Sequence, residues 1–311
     1  MANRMLDPEC YRRARLFVTE NARSLEAALC AWRLDGPTDA RREAVGRALA
    51  PYQNADGGLG RGLEPDFHLR ASSVLATTVG LQAATEVGLE VDHPFVRGAA
   101  AYLVSAWDRG QARWHAVPES VNDAPHAPWW SVDPATGRCS VEGTWANPSA
   151  ECTAHLWRYR DLVPGDLLET ATSVSLEEFA RATEPIDLHD FLCWSRLAQV
   201  MPSGRSAPMV RRLAQAVTAT ADTDPATWDA YGAKPLTLAP TPDSPFAPAL
   251  KRAIETNLDF EIERQAADGS WRPNWSWAEQ DPEAWSRAER DWAGVLTVST
   301  LASLKAYGRL A

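Results

Sequence analysis

One turn sequence recurs along the 311-residue chain and limits the folds that the chain can adopt. The clearest copy is Gln-Ala-Ala-Asp-Gly-Ser-Trp at 265–271, an earlier copy is Gln-Asn-Ala-Asp-Gly-Gly at 53–58, and a degenerate copy is Glu-Gly-Thr-Trp at 142–145. In such a turn a carboxylate binds backbone N–H groups, glycine takes a positive φ, and the indole folds over the neighbouring helix. The copies are spaced by close to two and three multiples of roughly 42 residues, which is typical of helix-pair repeats.

The segments that follow the first and last copies also resemble each other. Residues 73–84 and 294–305 are rich in small and apolar side chains, with little polar face. Helices of this kind are buried on two sides. The sequence therefore predicts an all-α chain, residues 1–311 in a single domain, built as an (α/α)5–6 toroid of helical hairpins. A single long helix is expected over 7–33.

Composition limits the partners that we expect. The net charge of −10 argues against nucleic acid and anionic lipid as binding partners, because an acidic protein offers no overall positive potential to attract them. Five scattered cysteines without a Cys-x-x-Cys pair favour a reducing cytoplasm. No apolar run approaches a membrane-spanning length, so no stable membrane insertion is expected. Fourteen tryptophans, several in loops beside Pro or Gly, suggest a cavity with aromatic walls.

The repeated turn resembles a known motif. Residues 265–271 look like the QW repeat of squalene-hopene cyclases and related class II terpene cyclases, and the wider pattern resembles the α/α toroid of protein prenyltransferase β subunits. Residues 52–82 and 122–130 also resemble bacterial prenyltransferase/squalene-oxidase repeat proteins. The resemblance implies a terpene cyclase-like enzyme with a deep central cavity and an apolar small-molecule substrate. A fold alone does not fix the chemistry.

Two departures from these families bear on the mechanism. The cyclases use Asp-x-Asp-Asp as a proton donor, and the nearest match, at 222–225, has Pro225 in place of the last aspartate, which leaves Asp224 as the matching donor. The prenyltransferases bind zinc through Asp, Cys and His. Here His189, Asp190 and Cys193 lack the Asp-x-Cys spacing, so we expect no metal and no other cofactor.

Most of the candidate site residues precede or open the presumed inner helices, or lie in the Pro- and Trp-rich loop at 115–146, whereas Asp224 lies in a proline-punctuated loop at 222–246. Candidate catalytic residues are Asp66, Asp123, His126, Glu151 and Asp224. Candidate substrate-binding residues are Glu64, His68, Trp129, Trp130, Trp145, His155 and Trp292. Four of them have a structural alternative: Asp123 ties its loop, Asp66 is favoured at a helix N-terminus, and Glu151 with His155 forms an ordinary buried pair.

The leading hypothesis is acid-initiated cyclisation of an isoprenoid-type substrate. It requires a carboxyl group kept protonated by burial or by a neighbouring carboxylate, with aromatic faces around the resulting cation. A carbohydrate-active hydrolase or lyase is the first alternative, because sugar rings stack on indoles and two carboxyl groups supply acid and base. A non-catalytic binding or scaffold protein is the second. The sequence carries no signal for an oligomeric state.

Overall fold

The computed structural model describes residues 4–310, and this part of the chain is mostly helical. The α-helices are α1 Pro8–Asn21, α2 Ser24–Asp35, α3 Asp39–Leu49, α4 Val74–Glu86, α5 Pro94–Ser105, α6 Ala146–Arg158, α7 Gly165–Arg181, α8 Leu188–Val200, α9 Ser203–Thr220, α10 Pro235–Leu238, α11 Ala247–Glu263 and α12 Pro282–Ala306. The strands β1 Val132–Asp133 and β2 Arg138–Cys139 pair antiparallel. The all-α prediction is confirmed. Within these residues no helix is long and apolar enough to cross a membrane.

The single helix expected over 7–33 is wrong, because the chain breaks between α1 and α2. Ala22 and Arg23 both have extended backbone, with ψ of 162° and 157°. The Arg23 guanidinium donates to the carbonyl oxygens of Gly62 and Leu63 at 3.1 and 2.9 Å, and it also pairs with Glu26 at 2.7 Å. The break therefore starts a new helix at Ser24 and places Arg23 against the segment before α4.

The helices pack in an order that brings the two ends of the chain together. Helix α12 contacts both α1 and α2, α4 contacts α6, and α6 packs extensively on α8. The backbone N–H of Leu6 donates to the carbonyl of Arg309 at 2.8 Å. The Arg309 side chain is buried and pairs with Asp259 of α11 at 2.7 Å. The contacts thus run from the last helix back to the first, while the regular (α/α)5–6 toroid stays a prediction.

The first and last copies of the repeated turn have the same internal hydrogen bonds. Gln53 Nε2 donates to the carbonyl of Gly57 at 2.9 Å, and Gln265 Nε2 donates to that of Gly269 at 2.9 Å. The two glycines have φ of 86° and 89°. A β-carbon on Gly269 would lie 2.5 Å from the carbonyl carbon of Arg13 in α1. Glycine is required there both for its dihedral angle and for the close approach of two backbones.

Both turns are also tied to the helix that follows them. The N–H of Leu59 donates to Thr77 Oγ1 of α4 at 2.9 Å, and the N–H of Trp271 donates to Thr297 Oγ1 of α12 at 3.0 Å. The Trp271 indole donates to the carbonyl of Glu261 in α11 at 2.8 Å. One tryptophan therefore joins two consecutive helices, and both threonines are fully buried.

The third copy does not lie at 142–145. Glu142 belongs to a short 3₁₀ segment, is buried, and accepts the N–H of Ala116 at 2.7 Å. The structural counterpart of Trp271 is Trp114, whose N–H donates to Ser149 Oγ of α6 at 3.1 Å and whose indole donates to a carbonyl of α5 at 2.7 Å. The hydrogen bond from a backbone N–H at the end of the turn to a hydroxyl of the following helix therefore identifies the repeat better than the amino-acid sequence of the turn does.

Candidate functional site

A non-helical segment before α4 carries the candidate residues Glu64, Asp66 and His68. It is fixed by backbone pairing with the Pro- and Trp-rich loop: the N–H of His68 donates to the carbonyl of Pro125 at 2.8 Å, and the N–H of Ala127 donates to that of Asp66 at 2.8 Å. The long loop therefore holds this segment in place through backbone hydrogen bonds.

Glu64 and Asp66, which we call the carboxyl pair, are both buried. Asp66 Oδ1 accepts the indole N–H groups of Trp277 and Trp292 at 2.8 and 2.9 Å. Burial raises the pKa of Asp66, against the effect of these indole donors. Burial and the neighbouring charge of Asp66 raise the pKa of Glu64 to about 8. At neutral pH the pair therefore retains a proton, which we assign to Glu64, while two donors stabilise the Asp66 carboxylate.

Aromatic side chains continue from Asp66 toward solvent. Trp292 and Trp275 pack edge to face with ring centroids 5.1 Å apart, and Trp275 packs likewise on Tyr231 at 5.4 Å. The hydroxyl of Tyr231 is 2.7 Å from Nε2 of His189. Trp275 and Trp292 are half-buried and Tyr231 is exposed. We call Tyr231, Trp275 and Trp292 the aromatic wall.

Tyr231 and His189 form the outer part of this region. Tyr231 is 53% exposed and His189 is also exposed, yet surrounding protein raises the pKa of Tyr231 to about 12 and lowers that of His189. Both shifts are caused chiefly by desolvation, which disfavours the charged form of each group. The negative charges of Asp66 and Glu64 also contribute to the raised pKa of Tyr231, which places this tyrosine near the carboxyl pair.

Glu151 provides a second carboxylate with the opposite electrostatics. Its Oε2 accepts Arg196 Nη1 of α8 at 2.9 Å, and its side chain is buried. Burial, the largest single effect, raises the pKa of Glu151, but Arg196, His155 and the Gln82 side chain together outweigh burial and lower the pKa to about 2. Nε2 of His155 is 3.5 Å from Glu151 Oε1 and has no hydrogen-bond partner among the described residues. Glu151 is thus a fixed anion at neutral pH.

Most of the other predicted site residues lie outside this cluster. Asp123 is exposed, and Asp224 is exposed and accepts the N–H of Ala226 at 3.0 Å as the cap of a 3₁₀ turn. Both ring nitrogens of His126 are used inside its own loop, on Ala124 O at 2.7 Å and on Ser131 Oγ at 2.9 Å. These residues stabilise local structure, which agrees with the structural alternative for the loop.

The predicted tryptophans divide between the site and the packing around it. Trp292 donates to Asp66, as described above. Trp130 is buried against Phe67, with ring centroids 5.3 Å apart, and Trp129 is half-buried in the same loop. Trp145 stacks on Trp194 at 5.9 Å and donates to a backbone carbonyl. Of the four predicted tryptophans, Trp292 alone donates a hydrogen bond to the carboxyl pair.

The three residues considered for zinc have separate partners. His189 contacts Tyr231, Asp190 accepts the Thr144 hydroxyl at 2.7 Å, and Cys193 Sγ is 3.7 Å from Glu151 Oε2. Burial raises the pKa of the Cys193 thiol well above its ordinary value, which disfavours the thiolate that zinc requires. Among residues 4–310 no three His, Cys, Asp or Glu side chains are grouped as metal ligands.

Two surface clefts lie beside the long loop. One, of about 640 Å³, is lined by residues between Ser131 and Gly143. The other, of about 310 Å³, is lined by residues 122–126 with Gln280 and Asp281. The carboxyl pair lines neither cleft, whereas Asp123 and His126 line the second.

Sequence reasoning missed several members of the site, namely Tyr231, Trp275, Trp277, His189 as a polar contact, and Arg196. Trp275 and Trp277 lie in the Trp-rich loop after the last turn, so the high tryptophan content of this loop was a usable signal. Tyr231 lies in a proline-punctuated loop without any motif. Only the tertiary structure brings it to α8 and to Trp275.

In comparisons with known proteins, no family model, no curated protein and no solved structure matches this chain. The likeness to class II terpene cyclases therefore depends on the repeated turns alone. The site must be interpreted from its own geometry.

Proposed function

We propose that this protein is an acid–base enzyme acting on a small, largely apolar molecule, with the carboxyl pair as its proton donor. The observation that carries the proposal is the state of the pair: Glu64 is buried beside Asp66, and two indoles hold Asp66 Oδ1. A general acid works best with a pKa near the operating pH, and the pKa of Glu64 is raised to about 8. Glu64 supplies the proton, and Asp66 keeps Glu64 protonated.

The aromatic wall favours a reaction that passes through a cation. Protonation of an alkene or epoxide creates positive charge on carbon, and indole and phenol rings stabilise such charge while keeping water away. Trp275, Trp292 and Tyr231 stand between the carboxyl pair and solvent. Acid-initiated cyclisation of an isoprenoid-type substrate is accordingly the form of the proposal that we favour. It requires no redox cofactor.

Glu151 is a second buried carboxyl group whose pKa is shifted in the opposite direction from that of Glu64. Carboxyl groups with strongly different pKa values take different roles in acid–base enzymes. Glu151, with its pKa lowered to about 2, stays ionised when Glu64 is protonated. Its partner Arg196 stands two turns after His189 on α8, so the two share a face of that helix. Glu151 is the buried anion of the contact between α6 and α8, and we assign no step of the reaction to it.

A carbohydrate substrate is the second candidate, because partly exposed aromatic rings beside the carboxyl pair, with Glu64 as the acid and Asp66 ionised, also suit glycosidic bond cleavage. The two candidates differ in product. Cyclisation yields an isomer of the substrate, whereas cleavage yields new reducing ends.

The test is turnover of linear polyprenes, such as squalene and geranylgeraniol, followed by mass spectrometry, with cello-oligosaccharides assayed in parallel for reducing ends. Glu64→Gln removes the transferable proton and should lower the rate by about 10²–10⁴-fold. Asp66→Asn should also lower the rate, since the charge that raises the pKa of Glu64 is lost. Glu119→Gln, at an exposed position in the long loop, is the matched control and should retain the rate.

Full turnover in both Glu64→Gln and Asp66→Asn would refute the proton-donor assignment. Cyclised products from squalene or geranylgeraniol support the isoprenoid form. Reducing ends without cyclised products support the carbohydrate form instead.

A further inference from the structure

Arg23 binds the backbone immediately before the carboxyl pair. Its Nη1 donates to the carbonyl oxygens of Gly62 and Leu63 at 3.1 and 2.9 Å, and Leu63 is followed directly by Glu64. Gly62 and Leu63 are buried, and within residues 4–310 no other group donates to either carbonyl. A buried carbonyl that loses its donor is unfavourable, so the conformation of this segment depends on the guanidinium.

The same segment has an uncommon backbone conformation. Arg61 and Gly62 are consecutive residues with φ of 59° and 75°. For Arg61, which carries a β-carbon, this region is unfavourable and persists only where surrounding contacts fix it. The contacts of Arg23 begin at the second of these residues, and they therefore fix the chain where it leaves the turn toward Glu64.

A buried carboxylate holds the guanidinium in turn. Nε and Nη2 of Arg23 donate to the two carboxylate oxygens of Glu26 at 2.9 and 2.7 Å. This bidentate contact fixes the plane of the guanidinium, whose remaining nitrogen then points at the two carbonyls. A lysine has no planar fork and does not make both sets of contacts at once.

Arg23 also lies against the helix that carries Trp292. Its Nη1 is 3.9 Å from Asp291 Oδ2, and Asp291 directly precedes Trp292, which donates to the carboxyl pair. The break that contains Arg23 packs closely on α12, because a β-carbon on Gly294 would lie 3.0 Å from Cβ of Ala22. Arg23 therefore connects α2, the segment before the carboxyl pair and the part of α12 that binds the pair.

We propose that Arg23 is a positioning residue, which holds Glu64 beside Asp66 by fixing the preceding backbone against α2 and α12. Its consequence for the rate rests on the proposed acid role of Glu64, whereas its consequence for the proton on Glu64 does not. The competing explanation is a purely electrostatic one. Burial and Asp66 raise the pKa of Glu64, and the positive charge of Arg23 acts against them.

The test is Arg23→Lys, which keeps the positive charge and removes the planar fork. Proton binding at Glu64 is measured by NMR during a pH titration of protein with isotope-labelled glutamate carboxyl groups, and the Glu64 signal is assigned by its loss in Glu64→Gln. A displaced Glu64 lies farther from Asp66 and closer to water, so its proton affinity should fall by about tenfold or more. In turnover of squalene or geranylgeraniol, kcat should fall by about tenfold or more with little change in KM, because the proton donor is misplaced.

Arg23→Gln is the second variant, and its amide can still donate to a carbonyl. Loss of the charge alone would strengthen proton binding at Glu64, whereas loss of position weakens it, so the sign of the change decides between the two explanations. Both variants are titrated at a temperature at which circular dichroism shows them folded.

Arg33→Lys is the matched control. Arg33 of α2 makes the same bidentate contact, through Nε and Nη2 to the two oxygens of Glu86, both at 2.7 Å, but it does not bind the segment before the carboxyl pair. Proton binding at Glu64 and kcat should be unchanged in this variant.

Unchanged proton binding in Arg23→Lys, or stronger binding in Arg23→Gln, would overturn the proposal. An equal weakening in Arg33→Lys would overturn it too, as would failure of both Arg23 variants to fold while Arg33→Lys folds normally. The NMR titration needs no turnover. Weaker proton binding in Arg23→Lys together with full activity of Glu64→Gln would uphold the positioning of the pair and refute the proton donor.

Discussion

The raised pKa of Glu64 predicts how the stability of the protein depends on pH. In the unfolded chain Glu64 titrates at its ordinary pKa of 4.5, and in the folded protein its pKa is raised to about 8. The stabilisation of the protonated group is complete below pH 4.5 and is lost as the pH rises through about 8. At about 1.4 kcal/mol per pH unit, folding stability falls by up to about 5 kcal/mol over this interval.

Glu64→Gln mimics the protonated side chain and should abolish this part of the pH dependence. We expect the variant to match the wild type near pH 5 and to exceed it in the free energy of unfolding by several kcal/mol at pH 8.5, or by roughly 10 °C in melting temperature. Urea titrations at pH 5, 7 and 8.5, with the exposed Glu119→Gln as control, measure the difference. Parallel pH profiles for wild type and Glu64→Gln would refute the burial and coupling inferred for the pair.

Three further perturbations test the fold and the second carboxylate. Gly269→Ala puts a β-carbon against the backbone of α1 and should cost about 2–4 kcal/mol in a urea titration, whereas Gly308→Ala, also at positive φ but with open space, should cost only about 1 kcal/mol. Thr297→Val removes the acceptor for the Trp271 N–H and should cost about 1–3 kcal/mol, to be compared with Ser299→Val at an exposed position of the same helix. Glu151→Ala leaves the Arg196 guanidinium without its anion and should lower the free energy of unfolding by about 3 kcal/mol at pH 7. Because the pKa of Glu151 is lowered to about 2, the stability difference between wild type and variant should shrink as the pH falls from 4.5 toward 2. A stability difference that stays constant over this range would contradict the lowered pKa.

The repeated turns were predictable because their chemistry is local. A glutamine, an aspartate and a glycine within a few residues of one another satisfy the same hydrogen bonds wherever they occur, so 53–58 and 265–271 fold alike. The prediction of a third copy at 142–145 was wrong because the hydrogen bonds of that segment are not local. Glu142 has the residue type of the motif, but its partner is the distant N–H of Ala116.

The carboxyl pair was predictable only as a list of candidates. Glu64, Asp66 and Trp292 were identified from their positions before or within presumed inner helices, and the structure brings Asp66 and Trp292 together. Asp123 and Asp224 were also candidates on residue type and sequence context, yet both are exposed. Burial decides between carboxyl groups, and burial is set by contacts between distant segments.

The sequence by itself determined the all-α class, the turns that link consecutive helices and the abundance of aromatic side chains in loops. Only the tertiary structure decided which carboxyl group retains a proton and which stays ionised. The indole N–H groups on Asp66 come from residues more than 200 positions away, and the guanidinium on Glu151 comes from another helix. A pKa depends on the distance to neighbouring charges and on the exclusion of water, and neither quantity is encoded in any short stretch of the chain.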